Sequence, residues 1–458
     1  MVDAVWYTSL PPMHLHQTAV VADQRVDAAV RERAVVATRT RWWMLSFFSL
    51  LHLICYLDRG IISVAEPEIR NAFGLTLGQM GVVLAAFTWT YALGQIPVGW
   101  LGDRYGPRKV LSVLITWTSA SACLTGAAAG FGSLLTARLL LGLGEAGAFP
   151  VAGRGAQIWF PPSERGRAQA VTHLFGLFAV SIMPVTAGAL LLAVGWRVMF
   201  FAFGAIGLLW VAVFWALYRD RPEDHPLVNH AELAAIRGLN PDGSIRALSR
   251  SRRRTPWRAI LTSPNMWYMA LGYGCLSFGI SFYLTWYPTY LRDFRGLSIA
   301  ALSLIGSVPL FAAMAGVVMG GWLTDMLLKT TRNARRARRL VAAPGFFLAG
   351  GFLIPAALAD GATASILYLA ASSFFLVWVV GPAWTVAMDV GGPFSGTVTG
   401  VMHTSASLAA SVMPIVYGTL FGRGYWVAPF LVSAAVLTAG ALVWQFLIDP
   451  EKAIVDAA

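Results

Sequence analysis

Four ionisable side chains lie inside long apolar runs of this 458-residue chain: Asp58, Arg59, Arg138 and Glu145. An ionisable group in a membrane-spanning helix costs at least about 2.5–3.5 kcal/mol and normally faces a polar interior or a pathway. A guanidinium is a planar fork that can hold a carboxylate by two hydrogen bonds, and carboxyl groups at such positions can relay protons. The four residues therefore indicate anion binding and proton transfer within a membrane.

The spacing of these groups places them on shared helix faces. Tyr56 and Arg59 lie about one turn apart. Arg138 and Glu145 are seven residues apart and project from one face, about 10 Å apart along the helix axis. Counted from the assumed outer helix ends, Asp58 and Arg138 lie at similar depth and can pair. The alternative is that all four merely form buried pairs that fix helix packing, but such pairs are often replaceable by apolar residues.

The composition defines the elements that must position these residues. Hydrophobic residues make up 57% of the chain and charged residues only 12%, whereas soluble domains carry about 25% charged residues. This predicts an all-α polytopic membrane protein and excludes a soluble enzyme with one membrane anchor. Twelve apolar segments are long enough to span a bilayer. They lie near residues 43–65, 79–101, 109–129, 133–157, 167–193, 196–218, 265–291, 300–328, 339–359, 362–387, 396–421 and 425–447.

Polar stretches divide the chain into parts. The expected order is a tail at 1–41, a six-helix bundle at 42–218, a loop at 219–264, a second six-helix bundle at 265–447 and a tail at 448–458. Of the 34 Lys and Arg residues, 27 fall on one side of this arrangement, five on the other, and two within helices. Cytoplasmic loops carry the Lys and Arg excess, so both termini and the central loop are predicted to be cytoplasmic. Nucleic-acid binding is not expected, because it requires basic charge concentrated on one folded face.

A five-residue marker recurs in the two halves. Gly99-Trp-Leu-Gly-Asp103 ends the second segment, Gly321-Trp-Leu-Thr-Asp325 ends the eighth, and basic residues follow both. A chance match is the alternative, but the shared topological position favours an internal duplication. Both aspartates lie near helix ends at the cytoplasmic side, where a carboxylate can meet a helix N-terminus or pair with arginines as helices rock. We interpret this set as gate residues rather than substrate ligands: Asp103, Arg104, Arg108 and Asp325.

Several stretches carry a family resemblance. The run from Gly99 to Lys109 resembles the signature between the second and third helices of the major facilitator superfamily. Four further runs together resemble its anion:cation symporter family, over about residues 42–447: Tyr56-Leu-Asp-Arg59, Gly142-Leu-Gly-Glu145, Trp159-Phe-Pro161 with Glu164-Arg-Gly-Arg-Ala168, and Trp286-Tyr-Pro-Thr-Tyr-Leu291. The resemblance implies the major facilitator fold and a multi-pass plasma membrane protein, in bacteria of the inner membrane. It also implies transport of sugar acids, hexuronates or other organic anions; animal members carry glutamate or sialic acid.

Weaker candidates for substrate contact lie on the second, seventh and eleventh segments: Tyr91, Gln95, Tyr273, Tyr283, His403 and Ser407. Tyr91 can equally well face lipid or a neighbouring helix. Sugar-acid members of the family tend to carry Gln where this chain has Tyr273, Ser near Met388, and Asn where it has His403 and Ser407. Those groups form hydrogen bonds to hydroxyls, so a smaller or more aromatic carboxylate stands beside a sugar acid as a second open alternative.

The residues together predict uptake of an organic anion by proton symport through alternating access. Arg59 with Tyr56 is expected to bind the substrate carboxylate. Asp58 and Glu145, beside Arg138, are expected to carry the coupling protons, because an added carboxylate leaves one negative charge unbalanced among the four charged groups.

Two other functions stay open: an exchanger or facilitator of the same fold, and, from a different class, a multidrug efflux carrier. The efflux carrier is disfavoured by the two buried arginines. No metal-ligand cluster, nucleophile dyad or HExxH pattern appears, so neither an enzyme nor a cofactor is expected. The expected partners are the organic anion, protons and the lipid bilayer, around a monomer.

Overall fold

The computed structural model describes residues 37–238, 255–452 and 454. Within that part the chain is helical, with short 3-10 and π turns and no strand. Twelve spanning segments are labelled α1–α12. The first six are α1 (Thr40–Phe73), α2 (Leu77–Tyr105), α3 (Pro107–Gly126), α4 (Phe131–Trp159), and α5 and α6, the two parts of Pro162–Leu217. The second six are α7 (Pro264–Thr285, continued to Phe294), α8 (Ile299–Thr331), α9 (Ala334–Leu358), α10 (Ala362–Gly391), α11 (Ser395–Gly422) and α12 (Ala428–Leu447).

The number of segments agrees with the sequence. Length and hydropathy mark nine of the described helices as able to cross a membrane, and one of the nine contains both α5 and α6. Gly195 turns the chain between these two with a φ of 75°, a left-handed conformation that favours glycine. With α3 and α7 the total is twelve. The predicted all-α polytopic fold is therefore confirmed for the part of the chain that the structure describes.

The first segment is longer than predicted. α1 continues to Phe73 and ends at Gly74, which has a φ of 63°, whereas the prediction ended near residue 65. Arg70, expected in an external loop, lies in the last turn of α1. Its Nε donates to Oε1 of Glu66, 2.9 Å away and one turn earlier. This pair supports the helix at charged positions that hydropathy alone assigns to a loop.

One end of the helix bundle contains both ends of the helical region and the central loop. Because the number of segments is even, the start of α1, the loop after α6 and the end of α12 share one end, called the terminal end here. Most of the predicted tails 1–41 and 448–458, and residues 239–254 of the central loop, lie outside the described residues. The predicted domain boundaries therefore stay predictions. The described part of the loop contains the helices His230–Arg237 and Trp257–Thr262.

The loop helix His230–Arg237 is fixed to the start of α1 by one carboxylate. Glu232 is fully buried, and it accepts hydrogen bonds from the backbone N–H groups of Thr40 and Arg41 at 3.1 and 3.0 Å. These N–H groups belong to the first turn of α1, where no intrahelical acceptor exists. The guanidinium of Arg41 pairs with Glu232 and also with Glu164 in the first turn of α5. This part of the loop therefore belongs structurally to the N-terminal half.

Two segments are interrupted at matching places in the two halves. α4 consists of a 15-residue helix ending at Glu145 and a 12-residue helix starting at Ala148. α10 consists of a 15-residue helix ending at Leu376 and, after a short 3-10 turn, a 12-residue helix starting at Val380. The fourth segment of each half thus has the same construction, which supports the internal duplication.

α2 and α4 approach each other closely at Gly142. A Cβ atom on Gly142 would lie 2.1 Å from the carbonyl oxygen of Phe87. Thr90 Oγ1 donates to the carbonyl of Leu139 at 2.7 Å across the same contact. Small residues allow such close packing of membrane helices. The contact holds the face of α4 that carries Glu145 against α2.

Candidate functional site

Arg59 is the centre of the candidate site. Its Nε donates to Oε2 of Glu145 at 2.6 Å, with side chains 13% and 0% exposed. Four aromatic rings surround the guanidinium, with their centroids 4.3–5.2 Å from its carbon: Tyr91, Phe149, Phe87 and Tyr56. Cations are attracted to ring faces at such distances. The structure thus brings together Arg59, Glu145, Tyr56 and Tyr91 as the sequence predicted.

The expected pair between Asp58 and Arg138 is not formed. Both side chains are buried, yet Oδ1 of Asp58 and Nε and Nη1 of Arg138 have no hydrogen-bond partner among the described residues. Arg138 instead lies over the ring of Phe87, 5.2 Å from its centroid. Consecutive residues point about 100° apart on a helix, and the rotation of α1 turns Arg59 rather than Asp58 toward a carboxylate on α4. The prediction of an Asp58–Arg138 pair is therefore wrong.

The C-terminal half completes the site from the other side. Gln95 on α2 lies 3.2 Å from Nδ1 of His403 on α11, through its Nε2, and its Oε1 accepts from Thr404 Oγ1 at 3.2 Å. Tyr273 on α7 accepts a hydrogen bond from Trp384 Nε1 at 3.0 Å, and its ring centroid lies 6.1 Å from that of His403. Gln95, His403 and Tyr273 were all predicted site residues. They meet where the two halves join.

Aromatic side chains form a circuit around this junction. Neighbouring ring centroids along it are 4.5–6.4 Å apart. The order is Tyr56, Phe149, His52, His173, Trp384, His403 and Tyr91. Arg59 closes the circuit, because its guanidinium lies over both Tyr91 and Tyr56. Rings from both halves therefore line the space beside the ion pair.

Two predicted site residues are not brought to this group. Tyr283 donates its hydroxyl to the carbonyl of Leu369 at 3.0 Å, within the C-terminal half. Ser407 lies one turn beyond His403 on α11 and donates to the carbonyl of His403 at 2.9 Å. Tyr283 therefore stabilises the packing of α7 on α10, and Ser407 bonds only to its own helix.

The predicted gate residues lie at the terminal end, away from Arg59. Asp103 falls in the last turn of α2, and Asp325 is exposed on α8. Arg104 lies over the Trp100 ring, 5.2 Å from its centroid. The backbone N–H of Arg108 donates to Oδ1 of Asp220 at 2.8 Å. Burial raises the pKa of Asp220, an effect that this hydrogen bond opposes. These contacts join parts of the N-terminal half, and a gating role stays a prediction.

Sequence reasoning missed several residues of the molecule's polar and aromatic interior: Glu66, Phe87, Phe149, Thr404 and Trp384. Glu66 is fully buried, and it lay one residue past the predicted end of the first segment, so it was not counted among the embedded groups. His173 on α5 is exposed, and its ring lies 5.7 Å from that of His52. Gly176, about one turn further along α5, packs against the ring of Tyr56.

Comparisons with known proteins agree with this architecture. The Major Facilitator Superfamily profile matches residues 48–414. The chain is 37% identical over 412 residues to a probable sulfoacetate transporter of Cupriavidus necator, covering 89% of this chain and 94% of the relative. It is 31% identical over 430 residues to a probable galactarate/D-glucarate transporter of Bacillus subtilis, covering 91% and 94%. A solved bacterial homolog of the human lysosomal transporter Spinster shares the fold, with a TM-score of 0.72 at 20% identity, covering 89% and 98%.

These matches define the class as a membrane transporter rather than an enzyme. The chain belongs to the Major Facilitator Superfamily. Relatives named for sulfoacetate and for sugar acids support the resemblance to the anion-transporting family.

Proposed function

We propose that this chain imports a small organic anion together with protons, by alternating access between its two halves. Both termini and the 219–264 loop are cytoplasmic in this proposal. One observation carries it: Arg59, mostly enclosed by aromatic rings, is paired with Glu145 beside the contact between Gln95 and His403 of the other half. Transporters of this kind bind their substrate at the interface between the two halves, so that both halves contact it.

Arg59 is the ligand for the anion. Its Nη2 has no hydrogen-bond partner in the part of the chain that the structure describes, although its Nε is bound to Glu145. A carboxylate or sulfonate can accept from Nη2 and compete with Glu145 for the guanidinium. Anion binding and release of Glu145 are thus linked through one side chain.

Glu145 and Asp58 carry the protons. With all groups ionised, the charges of Asp58, Arg59, Arg138 and Glu145 cancel. A bound monoanion then adds one negative charge to a poorly solvated site. A proton on Glu145 restores neutrality and frees Arg59 for the substrate, so each load favours the other. A second proton on Asp58, whose Oδ1 has no hydrogen-bond partner among the described residues, gives one net positive charge per monoanion, whereas for a dianion the two protons restore neutrality and no net charge moves. For a monoanion, inward movement of the net positive charge gains about 2.3 kcal/mol per 100 mV of membrane potential.

The substrate class that fits best is a short anion rather than a sugar acid. The side chains around Arg59 are mostly aromatic, and few of them can form hydrogen bonds to the several hydroxyl groups of a sugar acid. The 37%-identical relative is named for sulfoacetate, a two-carbon sulfonate and carboxylate. The expected order of preference is therefore sulfoacetate and similar short anions before glucarate or galactarate.

The same geometry also fits an exchanger or facilitator, in which Glu145 only holds Arg59 in place and carries no proton. A multidrug efflux carrier is disfavoured, because Arg59 and Arg138 both present positive charge inside the bundle. The test therefore separates substrate movement from proton coupling.

The deciding variant is Glu145→Gln, reconstituted in proteoliposomes and assayed with labelled sulfoacetate and a panel of labelled carboxylates. We expect it to exchange internal for external substrate and to lose accumulation driven by a proton gradient. Glu164→Gln is the matched control, because Glu164 pairs with Arg41 at the terminal end, outside the site, and it should accumulate substrate normally. Gradient-driven accumulation by Glu145→Gln would remove Glu145 from the coupling mechanism.

A further inference from the structure

A groove on the outside of the N-terminal half lies between α3 and α6, and we call it the α3–α6 groove. It has a volume of about 640 Å³ and is lined by six residues of α3, from Lys109 to Ala120, and by Trp215 of α6. The six recur at positions i, i+3, i+4, i+7, i+8 and i+11, which form one face of a helix. Val113 and Trp215 are 67% and 46% exposed. Apolar side chains exposed on a spanning segment face the lipid of the bilayer.

The length of the α3–α6 groove matches one leaflet of a bilayer. Lys109 lies in the first turn of α3, at the terminal end, and Ala120 follows eleven residues later. At 1.5 Å per residue the two are about 16 Å apart along the helix axis. Half of the hydrocarbon core of a bilayer is about 15 Å thick. The groove therefore runs from the headgroup level to the middle of the bilayer, the path of one acyl chain.

The terminal end of the groove is positively charged. Lys109 is exposed and forms no ion pair with any described residue. The guanidinium of Arg108 lies 4.6 Å from the ring centroid of Trp215, and its Nε donates to the Trp215 carbonyl at 3.2 Å. Burial raises the pKa of Asp220, and the charges of Arg108 and Lys109 oppose that rise. Two positive charges and one negative charge leave one positive charge, which a single phosphodiester would neutralise.

A hydroxyl lies one turn below this charged end. Ser112 lines the groove and is buried, and its Oγ has no hydrogen-bond partner in the described part of the chain. Thr116, one turn further on, donates its own hydroxyl to the carbonyl of Ser112 at 2.8 Å. A buried hydroxyl without a partner is costly. The ester carbonyl of a phospholipid lies just below its phosphate and can accept a hydrogen bond from Ser112.

We propose that the α3–α6 groove is a binding site for one phospholipid of single negative charge, such as phosphatidylglycerol, from the leaflet at the terminal end. Its phosphate pairs with Lys109, as anionic headgroups do with basic residues at a membrane surface. An ester carbonyl accepts from Ser112, and one acyl chain lies along Val113, Trp117 and Trp215. The site is independent of the proposed transport reaction, because it uses neither Arg59 nor its neighbours.

The deep end of the groove contacts the segment that carries Glu145. The indole N–H of Trp117 donates to the carbonyl of Leu140 on α4 at 2.8 Å. A Cβ atom on Gly144, the residue before Glu145, would lie 2.6 Å from Cδ1 of Trp117. An acyl chain in the groove packs against the exposed face of Trp117. The bound lipid therefore stabilises the packing of α3 on the first piece of α4.

The test is native mass spectrometry of the purified, delipidated protein, titrated with phosphatidylglycerol or with phosphatidylcholine of the same acyl chains. We expect Lys109→Gln to weaken binding of phosphatidylglycerol roughly tenfold, the effect of losing one hydrogen bond between charged groups, and to leave phosphatidylcholine binding unchanged. Lys329→Gln is the matched control, because Lys329 is exposed near the end of α8, at the same end of the bundle but outside the groove. It should bind both lipids normally.

A second pair of variants tests the apolar part of the groove. Val113→Trp fills the groove and should weaken binding of both lipids, whereas Leu367→Trp, at a 60% exposed position on α10, should not. A thermal melt of each variant confirms folding. Phosphatidylglycerol that binds Lys109→Gln as tightly as the unaltered protein would overturn the headgroup contact. Unchanged binding of both lipids to Val113→Trp would overturn the groove as the site.

Photocrosslinking locates the lipid within the groove. Phosphatidylglycerol with a diazirine near its glycerol should label α3 close to Ser112, and the same lipid with a diazirine at the end of its chain should label α3 close to Ala120. Labelling of α3 that does not shift with the position of the diazirine would overturn the proposal. None of these measurements uses a transported substrate or a gradient, so their failure leaves the proposed anion transport standing.

Discussion

Replacing Arg59 by lysine tests the anion ligand most directly. In the proposed function the guanidinium offers Nη2 to the substrate, while Nε donates to Glu145 at 2.6 Å. An ammonium keeps the positive charge near the four rings but lacks the planar fork, so it cannot hold both partners in the same geometry. Losing one hydrogen bond to a charged group removes about 1.5–3 kcal/mol. The expected result is binding that is roughly 10- to 150-fold weaker.

The assay is equilibrium binding of labelled sulfoacetate to purified protein, with a thermal melt to confirm folding. Arg197→Lys is the matched control. Arg197 Nη1 donates to the carbonyls of Gly126 and Ala128 at 2.9 and 2.8 Å, and its guanidinium lies 4.3 Å from the Trp196 ring centroid. It is thus another ring-stacked arginine, placed away from the site, and its Lys variant should bind normally. If Arg59→Lys binds the probe as tightly as the unaltered protein, the role assigned to Arg59 is wrong.

Three further outcomes follow from the fold. Glu232→Gln should lower the free energy of unfolding by about 1–3 kcal/mol, measured by melting in detergent, because the fully buried carboxylate binds Arg41 and two backbone N–H groups. An unchanged melting temperature would show that these contacts of Glu232 do not stabilise the fold. Gly142→Ala should destabilise by about 1–3 kcal/mol through overpacking, since its Cβ would meet the Phe87 carbonyl, whereas Gly132→Ala, with open space around it, should not. A cysteine placed near Asp242 should react with an impermeant maleimide only after cells are opened, and ready labelling of intact cells would reverse the topology.

The sequence predicted the fold and singled out Arg59 and Glu145, which the structure brings together, for a physical reason. A charged residue in a membrane-spanning segment costs free energy and is therefore rare, so Arg59 and Glu145 could be recognised from the sequence alone. The contact between Gln95 and His403 joins residues 308 positions apart. Each was predicted to line the site from its own half, but no local pattern encodes their meeting.

Other parts of the site could not be predicted. Phe87 and Phe149 carry no signal that separates a ring facing an arginine from one facing lipid. The pairing of Arg59 rather than Asp58 with α4 depends on the rotation of α1 about its axis, which apolar periodicity leaves loose when most faces are apolar. The rotation of α7 about its axis is equally hard to predict, so Tyr283 was expected at the site although its hydroxyl bonds to Leu369 of α10. Glu66 was missed because hydropathy ended the first segment one residue before it.

The matching interruptions of α4 and α10 show that the break in α4 does not depend on Glu145. Glu145 ends the first piece of α4, and Leu376 ends the first piece of α10 at the corresponding position. Leu376 carries no charge, yet α10 is interrupted after it as α4 is after Glu145. The interruption is therefore a property of the repeated unit and does not require the carboxylate. The C-terminal half is therefore a built-in reference for the N-terminal one. It shows the form of the fourth segment with an uncharged residue at the end of its first piece.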